Sequence, residues 1–509
     1  GAARVKTVEA DLVVVGSGVS GLLAAWRPLQ RGLRVAMLER GALKTHAEQL
    51  ADGRWAADVP GAEANNETAP GTRSYPWSYV YGVGGSTLHW AGAALRFSAA
   101  DFKMRSSFGV MEDWPLSLAD LAPFYAQAEA ALGVAGAPAE GTGQPGPGIP
   151  GARTLPPHPL SPIDKAVAKH LQPFVPLPQA RPSRAIQGRP PCCGSAVCEL
   201  CPVDSRFSPL NGLSAVLEHP GLELREQTVA ARLRLGAGGE VEGVETIEPS
   251  GGRTLVRGKR YVLAANGIEN PGLLLRSGLD GPAVGRYLFD HGHTTVKVTL
   301  RKELEPGVGD SLSTGLVEAF REGGFRAERS AAILSPYNPG APVSSLLSDG
   351  VVARESGKDV RAKALSRWRR TIPFDMLTED VPRPDRRVTL SPNQDNFGLP
   401  LNRTAYPPPG PYETAGINAA VAALRERLAP LGVEAIEAGP GPQGGHLMGT
   451  CRMSAGGEAV VDAEMRHLEV ENLFVAGSSA FPTYAPVHPT LTIAALALRL
   501  GEQLAREAA

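Results

Sequence analysis

The chain of 509 residues carries 51 basic and 52 acidic side chains, a formal charge of −1, so no global field draws it to nucleic acid or to an anionic membrane. That length exceeds what one core usually holds, and two domains are expected. No apolar run reaches the roughly 18 residues of a membrane-spanning helix, and the opening Gly1-Ala2-Ala3-Arg4-Val5-Lys6 lacks the apolar core of a signal peptide. This reads as a soluble chain with no transmembrane anchor of its own. Of the five cysteines, four lie within ten residues, which is not a disulfide framework.

The chain is organised from residues 11–41. An apolar strand, Leu12-Val13-Val14-Val15, runs into Gly16-Ser17-Gly18-Val19-Ser20-Gly21. Gly16 suits a tight turn, Gly18 close approach of the backbone to a pyrophosphate, and Gly21 close helix–strand packing. Residues 22–32 read as the first helix and 34–38 as the second parallel strand. That strand ends at Glu39, placed to accept hydrogen bonds from a ribose. Together these predict a dinucleotide site.

Residues 42–80 show little periodicity and read as a long excursion shielding the cofactor. Gly84 and Gly85 follow, where close backbone approach to a ligand is plausible, and His89-Trp90 after them is placed to line a flavin. Residues 118–133 predict an amphipathic helix with Pro123 near its start. Residues 137–160, rich in Gly and Pro, read as a surface connector.

Cys192-Cys193 and Cys198-Glu199-Leu200-Cys201, with small residues between and Pro202 after, can wrap thiolates around a soft metal centre. Adjacent Cys192 and Cys193 point apart, so three ligands and a three-iron cluster suit the segment better than a four-iron cluster. A zinc knot, a disulfide between Cys198 and Cys201, and free buried thiols remain open from spacing alone. Haem attachment lacks its histidine.

Short strands are expected at 222–229, 233–235 and 241–244, and a buried strand at 260–267 returns to the first sheet, with a helix from Glu269. The nucleotide domain is therefore discontinuous. From 292 to 440 the pattern turns to alternating strands (293–300, 371–378, 387–390), a largely antiparallel substrate domain. The basic run 361–370 reads as a solvated helix face. Asn393, Gln394 and Asn396 suit either a polyhydroxylated ligand or a turn.

The C-terminal stretch is the densest in chemistry. His446 and His488 flank a strand that ends in Gly477-Ser478-Ser479, and both are candidate bases. Pro489 and Thr490 open the last helix, whose free amides can face negative charge on a flavin. Cys451 reads as a buried small side chain.

The fingerprint with Glu39, Gly84-Gly85 through His89-Trp90, Ala264-Ala265-Asn266-Gly267, Val284-Gly285-Arg286 through Asp290-His291, and the two histidine segments resemble the glucose–methanol–choline (GMC) oxidoreductases over nearly the whole chain. Residues 90–97, Asp101-Phe102-Lys103-Met104, Asp113-Trp114-Pro115 and the cysteine segment are similar to the catalytic subunit of bacterial FAD-dependent glucose dehydrogenases. The resemblance implies an α/β, Rossmann-like FAD-binding fold of the GMC and p-hydroxybenzoate hydroxylase type, with a mostly antiparallel α+β substrate domain. The expected division is an FAD domain from 8–135, 215–291 and 441–509, a connector and cluster-binding segment at 136–214, and a substrate domain at 292–440.

By the same resemblance Gly16, Gly18, Gly21, Glu39, Gly84, Gly85, His89, Asn266, Gly477 and Ser478 hold FAD. His446 matches the catalytic base and His488 the second catalytic position. Cys192, Cys198 and Cys201 match the ligands of a 3Fe-4S cluster. The implied reaction is oxidation of a sugar or polyol hydroxyl: His446 takes the hydroxyl proton, a hydride passes to flavin N5, and the cluster relays electrons to an external acceptor. The implied partners are a small export or chaperone subunit and a multihaem cytochrome c, placing the chain in the periplasm or at the periplasmic face of the inner membrane.

Two departures stand out: two residues rather than three between Cys198 and Cys201, and histidine rather than asparagine at 488. His89 stands at the spacing where pyranose oxidases attach flavin covalently, and the glucose dehydrogenases carry a similar pattern without that link. The alternative reading is a pyranose or glycoside oxidase that uses oxygen and releases hydrogen peroxide, for which a cytoplasmic location is open. A non-enzymatic flavin-binding protein would leave the histidine pair unexplained.

Overall fold

The computed structural model describes residues 6–52, 66–136, 155–195, 200–304, 311–338, 354, 358–441 and 443–508. Its centre is a five-stranded parallel sheet in the order Leu473–Val475, Arg260–Leu263, Leu12–Val15, Val35–Leu38, Leu222–Arg225. The Leu12–Val15 and Val35–Leu38 strands are buried at every position, as unbroken apolar runs require when both faces of a sheet are covered. Helix Val19–Gln30 packs on Thr490–Glu507, which in turn packs on Leu118–Leu132. The first helix starts at Val19, earlier than residue 22, because the turn at Gly16–Gly18 delivers the chain directly into helical geometry. The helix expected from Glu269 likewise begins at Asn266, whose side-chain oxygen accepts from the N–H groups of Ile268 and Glu269.

Two smaller sheets flank this layer. Lys6–Glu9, Arg253–Arg257, Val241–Ile247 and Val229–Leu235 form one. The other joins the hairpin Arg387–Gln394 and Pro400–Ala405 to Asn66–Thr68. Part of the expected excursion is thus ordered, with helix His46–Asp52 and a strand that pairs with residues more than 300 positions later. Residues 53–65 and most of the 137–160 connector lie outside the described residues.

The six-stranded sheet runs Val433–Pro440, Gly292–Leu300, Thr371–Thr378, Ala332–Pro336, Gly315–Phe320, Phe174–Pro176, with every neighbour pair antiparallel. The last strand comes from the segment read as a connector. Alternation sorts its residues between two faces. Val296, Val298, Leu300, Ile372, Phe374 and Met376 bury against Leu424 and Leu428 of and beyond helix Pro411–Arg427, forming a core separate from that of the parallel sheet. The opposite face carries His293, Asp375 and Leu377 toward the interior cavity described below.

A buried charge network joins this sheet to the 98–101 turn. Arg326 donates to Asp101 at 2.7 Å and to Glu379, and Arg321 donates to Glu318 at 2.7 Å and to the Arg96 carbonyl at 2.9 Å. Burial alone would push the Asp101 carboxyl up, but the charges of Arg326 and Arg321 outweigh it and hold it below the usual range. Removing one partner leaves uncompensated buried charge. Arg326→Met is therefore expected to destabilise the fold by about 3–5 kcal/mol in chemical denaturation. A loss of about 0.5 kcal/mol, typical of a surface change, would show that the network does not hold the sheet.

Candidate active site

The fingerprint turn is built by contacts that exclude side chains. Gly16 has φ +106°, and a Cβ there would sit 2.5 Å from the Ala264 carbonyl oxygen of the neighbouring strand. A Cβ at Gly21 would drive into the Gly16 carbonyl oxygen, so helix and strand touch through backbone. Gly84, at φ +108°, donates its N–H to the Ser17 carbonyl at 3.1 Å, which seats the second glycine turn against the first. A Cβ at Gly445 would enter open space, and one at Gly477 would meet only Ser20.

These backbones line one cavity of about 500 Å³. Of the predicted residues, Gly16, Gly18, Glu39, Gly85, His89, Asn266, Gly477, Ser478, Pro489, Thr490, His446 and His488 all border it. Gly21 and Gly84 stand behind it as packing positions. Glu39 is buried at the end of its strand, and its carboxylate accepts from the N–H and hydroxyl of Ser17 at 3.2 and 2.7 Å and from the Gly41 N–H at 2.9 Å. Burial raises its pKa against those hydrogen bonds. Ser20 Oγ, His89 Nδ1, His291 Nε2 and His488 Nδ1 are buried on this wall without a hydrogen-bond partner among the described residues. A side-chain-free backbone cradle rimmed by unsatisfied polar atoms fits an elongated polar cofactor such as FAD.

At the far end stand four imidazoles in a row. Ring centroids are 5.9 Å apart between His488 and His446, 4.1 Å between His446 and His291, and 5.1 Å between His291 and His293. The Nδ1 atoms of His291 and His446 face each other in contact. Reciprocal backbone bonds between Phe289 and Met448, both 3.1 Å, set the two segments side by side. Asp290 fixes them. Its buried carboxylate accepts from the Tyr75 hydroxyl at 2.8 Å, from the His291 N–H at 2.8 Å, from the His446 N–H at 3.3 Å and from the Gly444 N–H.

Burial pushes Asp290 up to about 7, although the Gly444, Tyr75 and His291 donors oppose it. Burial, then the neighbouring imidazoles, hold His446 and His291 well below the usual histidine value. His488 is held at about 3 by burial, His293 and Arg181, and His89 at about 4 by burial and Arg206. His488, His446 and His291 are therefore neutral at physiological pH, each with a ring nitrogen able to accept a proton.

The sequence reading named His446 and His488 and passed over His291, His293 and Asp290 as site residues. The compact Asp290-His291-Gly292-His293 run was the signal: it holds two of the ten histidines. Asn393, Gln394 and Asn396 lie at the hairpin turn, away from the cavity; Asn393 donates to Glu67 at 2.5 Å. Cys451 is buried, and burial raises its thiol pKa. Cys192 and Cys201 are half-buried and Cys193 is exposed, while Cys198 lies outside the described residues.

A glycine cradle continuous with a buried proton-accepting row is the arrangement of a flavin-dependent oxidoreductase. Comparisons with known proteins agree. Two GMC oxidoreductase models match residues 178–293 and 382–497, and an FAD binding domain model matches 11–99. 6'''-hydroxyparomomycin C oxidase from Streptomyces lividus is 31% identical over 97% of this chain and 91% of its own. Fructose dehydrogenase large subunit from Gluconobacter japonicus is 28% identical over 98% of both chains, and 2-methyl-1,2-propanediol dehydrogenase from Mycolicibacterium austroafricanum is 28% identical over 98% and 95%. Pyridoxine 4-oxidase from Mesorbium loti shares the fold, with a TM-score of 0.65 at 20% identity over 97% and 98% of the two chains.

The chain belongs to the GMC oxidoreductase family. It is an FAD-dependent oxidoreductase acting on CH–OH groups. Gly16→Val is expected to purify with little or no FAD, read as the ratio of flavin to protein absorbance; a full complement would contradict the cradle.

Proposed function

We propose that this enzyme oxidises a hydroxyl group of a sugar or polyol, with His446 as the base. The observation that carries this is the set of neutral imidazoles, His488, His446 and His291, that closes the flavin-end cavity. Full-length likeness to a fructose dehydrogenase subunit and to a propanediol dehydrogenase supports the substrate class. FAD, when bound by the glycine cradle and Glu39, supplies the two-electron oxidising power.

His446 carries its own proton on Nδ1, shared with Nδ1 of His291, which leaves Nε2 to accept the alcohol proton. Asp290 holds the main chain at both imidazoles, so the base keeps its aim. His488 donates to the alcohol oxygen and orients it. A positioned base contributes about 10² to 10⁴ in rate, and His446→Ala is expected to slow flavin reduction by that factor. A full rate in the variant would remove the assignment. Because the His446 pKa lies below the ordinary 6.5, its base form persists as pH falls. Flavin reduction in the wild type is expected to stay level through pH 6.5, and a rate already halved there would contradict a depressed His446.

We infer further that Cys192, Cys198 and Cys201 would hold a 3Fe-4S cluster, which would supply one-electron transfer toward an external acceptor carried by partner subunits at the periplasmic side. The described cysteine segment is stitched to the cavity wall, which supports this: Arg206 donates to the carbonyls of Leu88 and Trp90, and Trp90 donates to the Phe207 carbonyl at 2.8 Å. The Ser205 N–H donates to the Cys201 sulfur at 3.3 Å, the kind of bond that tunes a cluster's potential. Names of relatives as a large subunit and a flavoprotein support a multisubunit assembly. Among the described residues no helix is long and apolar enough to cross a membrane. Protein purified without chelators is expected to contain about three irons per FAD and to show the low-temperature EPR signal of an oxidised three-iron cluster. Iron-free enzyme that forms hydrogen peroxide with substrate would favour the oxidase reading instead.

A further inference from the structure

The wall facing the imidazole row is made by the six-stranded sheet, and its polar content is concentrated in one place. His293 and Asp375 project from adjacent antiparallel strands on the face away from the helix-covered core. Residue 293 pairs with Leu377 and Asp375 with Thr295, so the two side chains are diagonal neighbours, within reach of each other. His293 Nε2 and Asp375 Oδ1 are in direct contact. The Tyr337 hydroxyl donates to Asp375. All three residues line the cavity, and the imidazole of His293 stands 5.1 Å from that of His291.

The FAD fingerprint does not use this group, and neither does the proton path at His446. A carboxylate has about four acceptor directions. His293 and Tyr337 occupy two, leaving two for donors in the cavity. The arginines of the lining, Arg40 and Arg276, belong to the fingerprint end, Arg40 beside Tyr81 and Asp395 and Arg276 on the Ala231 carbonyl. Arg181, whose charge reaches His488, is turned into the Ser311 hydroxyl and the Ala91 carbonyl.

We propose that Asp375, oriented by His293 and Tyr337, is the specificity-determining residue of this site. It grips two adjacent hydroxyls of an uncharged polyhydroxylated substrate and disfavours sugar acids. This rests on the sugar or polyol reading and names what the pocket selects within it. Adjacent hydroxyls each donate to one free acceptor direction, while the carboxylate of a sugar acid has no proton to donate there, and among the described lining residues the arginines, Arg40 and Arg276, stand at the fingerprint end. A cut hydrogen bond to a charged group costs about 1.5–3 kcal/mol, a factor of about 10 to 100.

The test is anaerobic flavin reduction of FAD-loaded wild type and Asp375→Asn by fructose, glucose, sorbitol and gluconate. The wild type is expected to prefer the best neutral substrate to gluconate by about 100-fold or more in kcat/KM. Asp375→Asn is expected to raise KM for that substrate by about 10- to 100-fold with kcat little changed, and to narrow the preference over gluconate. Should that variant lose FAD, His293→Gln reports on the same clamp and is expected to give the same KM-weighted loss. A wild type that favours gluconate, or variants that lose kcat and KM discrimination equally for all four compounds, would overturn the proposal while leaving sugar oxidation intact. A wild type that no neutral sugar bleaches, although dithionite does, would overturn the sugar reading and this inference with it.

Discussion

Asp290 is the constraint on which the site depends. Four donors from three parts of the chain converge on its carboxylate: Tyr75, the His291 main chain, and the main chain of Gly444 and His446. The reciprocal Phe289–Met448 bonds set the 444–448 loop beside the 289–293 segment, and the bonds to Asp290 fix the main chain of His446 and His291 within that pairing. A buried carboxylate with so many donors is costly unless every bond is made. The folded chain meets that cost with four donors, three of which locate the two histidine segments.

The six-stranded sheet has a core of its own on its helix-covered face, while Leu316, Ile333 and Leu377 of its other face join the core of the parallel sheet, and the two sheets share one cavity. The parallel sheet contributes the ends of its strands and helix, where glycines bare the backbone, as expected for ligand sites at the carboxyl edge of such sheets. The antiparallel sheet contributes His293, Asp375 and Leu377 from the face its helix does not cover. Cofactor binding and substrate selection are thus carried by different secondary structures. Mutations on the antiparallel wall can change what is oxidised without touching the cradle.

Local sequence carried most of the cofactor half. Gly16, Gly18, Gly21 and Glu39 announce themselves because strand, turn and helix follow one another within thirty residues, and every contact is between near neighbours or adjacent strands. His446 and His488 were legible through likeness to known enzymes. Asp375 was not, because it looks like any polar residue in an alternating strand; only its pairing with Gly292–Leu300, some 80 positions away, sets it beside His293. The role of Asp290 was hidden for a related reason: three of its four donors are backbone N–H groups, two of them in a distant loop, which leave no trace in side-chain identity. Of the two readings open for Asn393, Gln394 and Asn396, the turn is the one the structure shows: they sit at the hairpin, where Asn393 donates to Glu67 and the N–H groups of Phe397 and Leu399 donate to Asp395.

The central claim is that a carbohydrate hydroxyl reaches the imidazole row while FAD occupies the cradle. The most direct measurement is an anaerobic titration of the FAD-loaded enzyme with fructose, glucose and sorbitol, following the visible flavin absorbance. Full bleaching of the flavin by at least one of them, with oxidised product formed, is the expected result. Flavin that stays oxidised with all three, yet is reduced at once by dithionite, would contradict it.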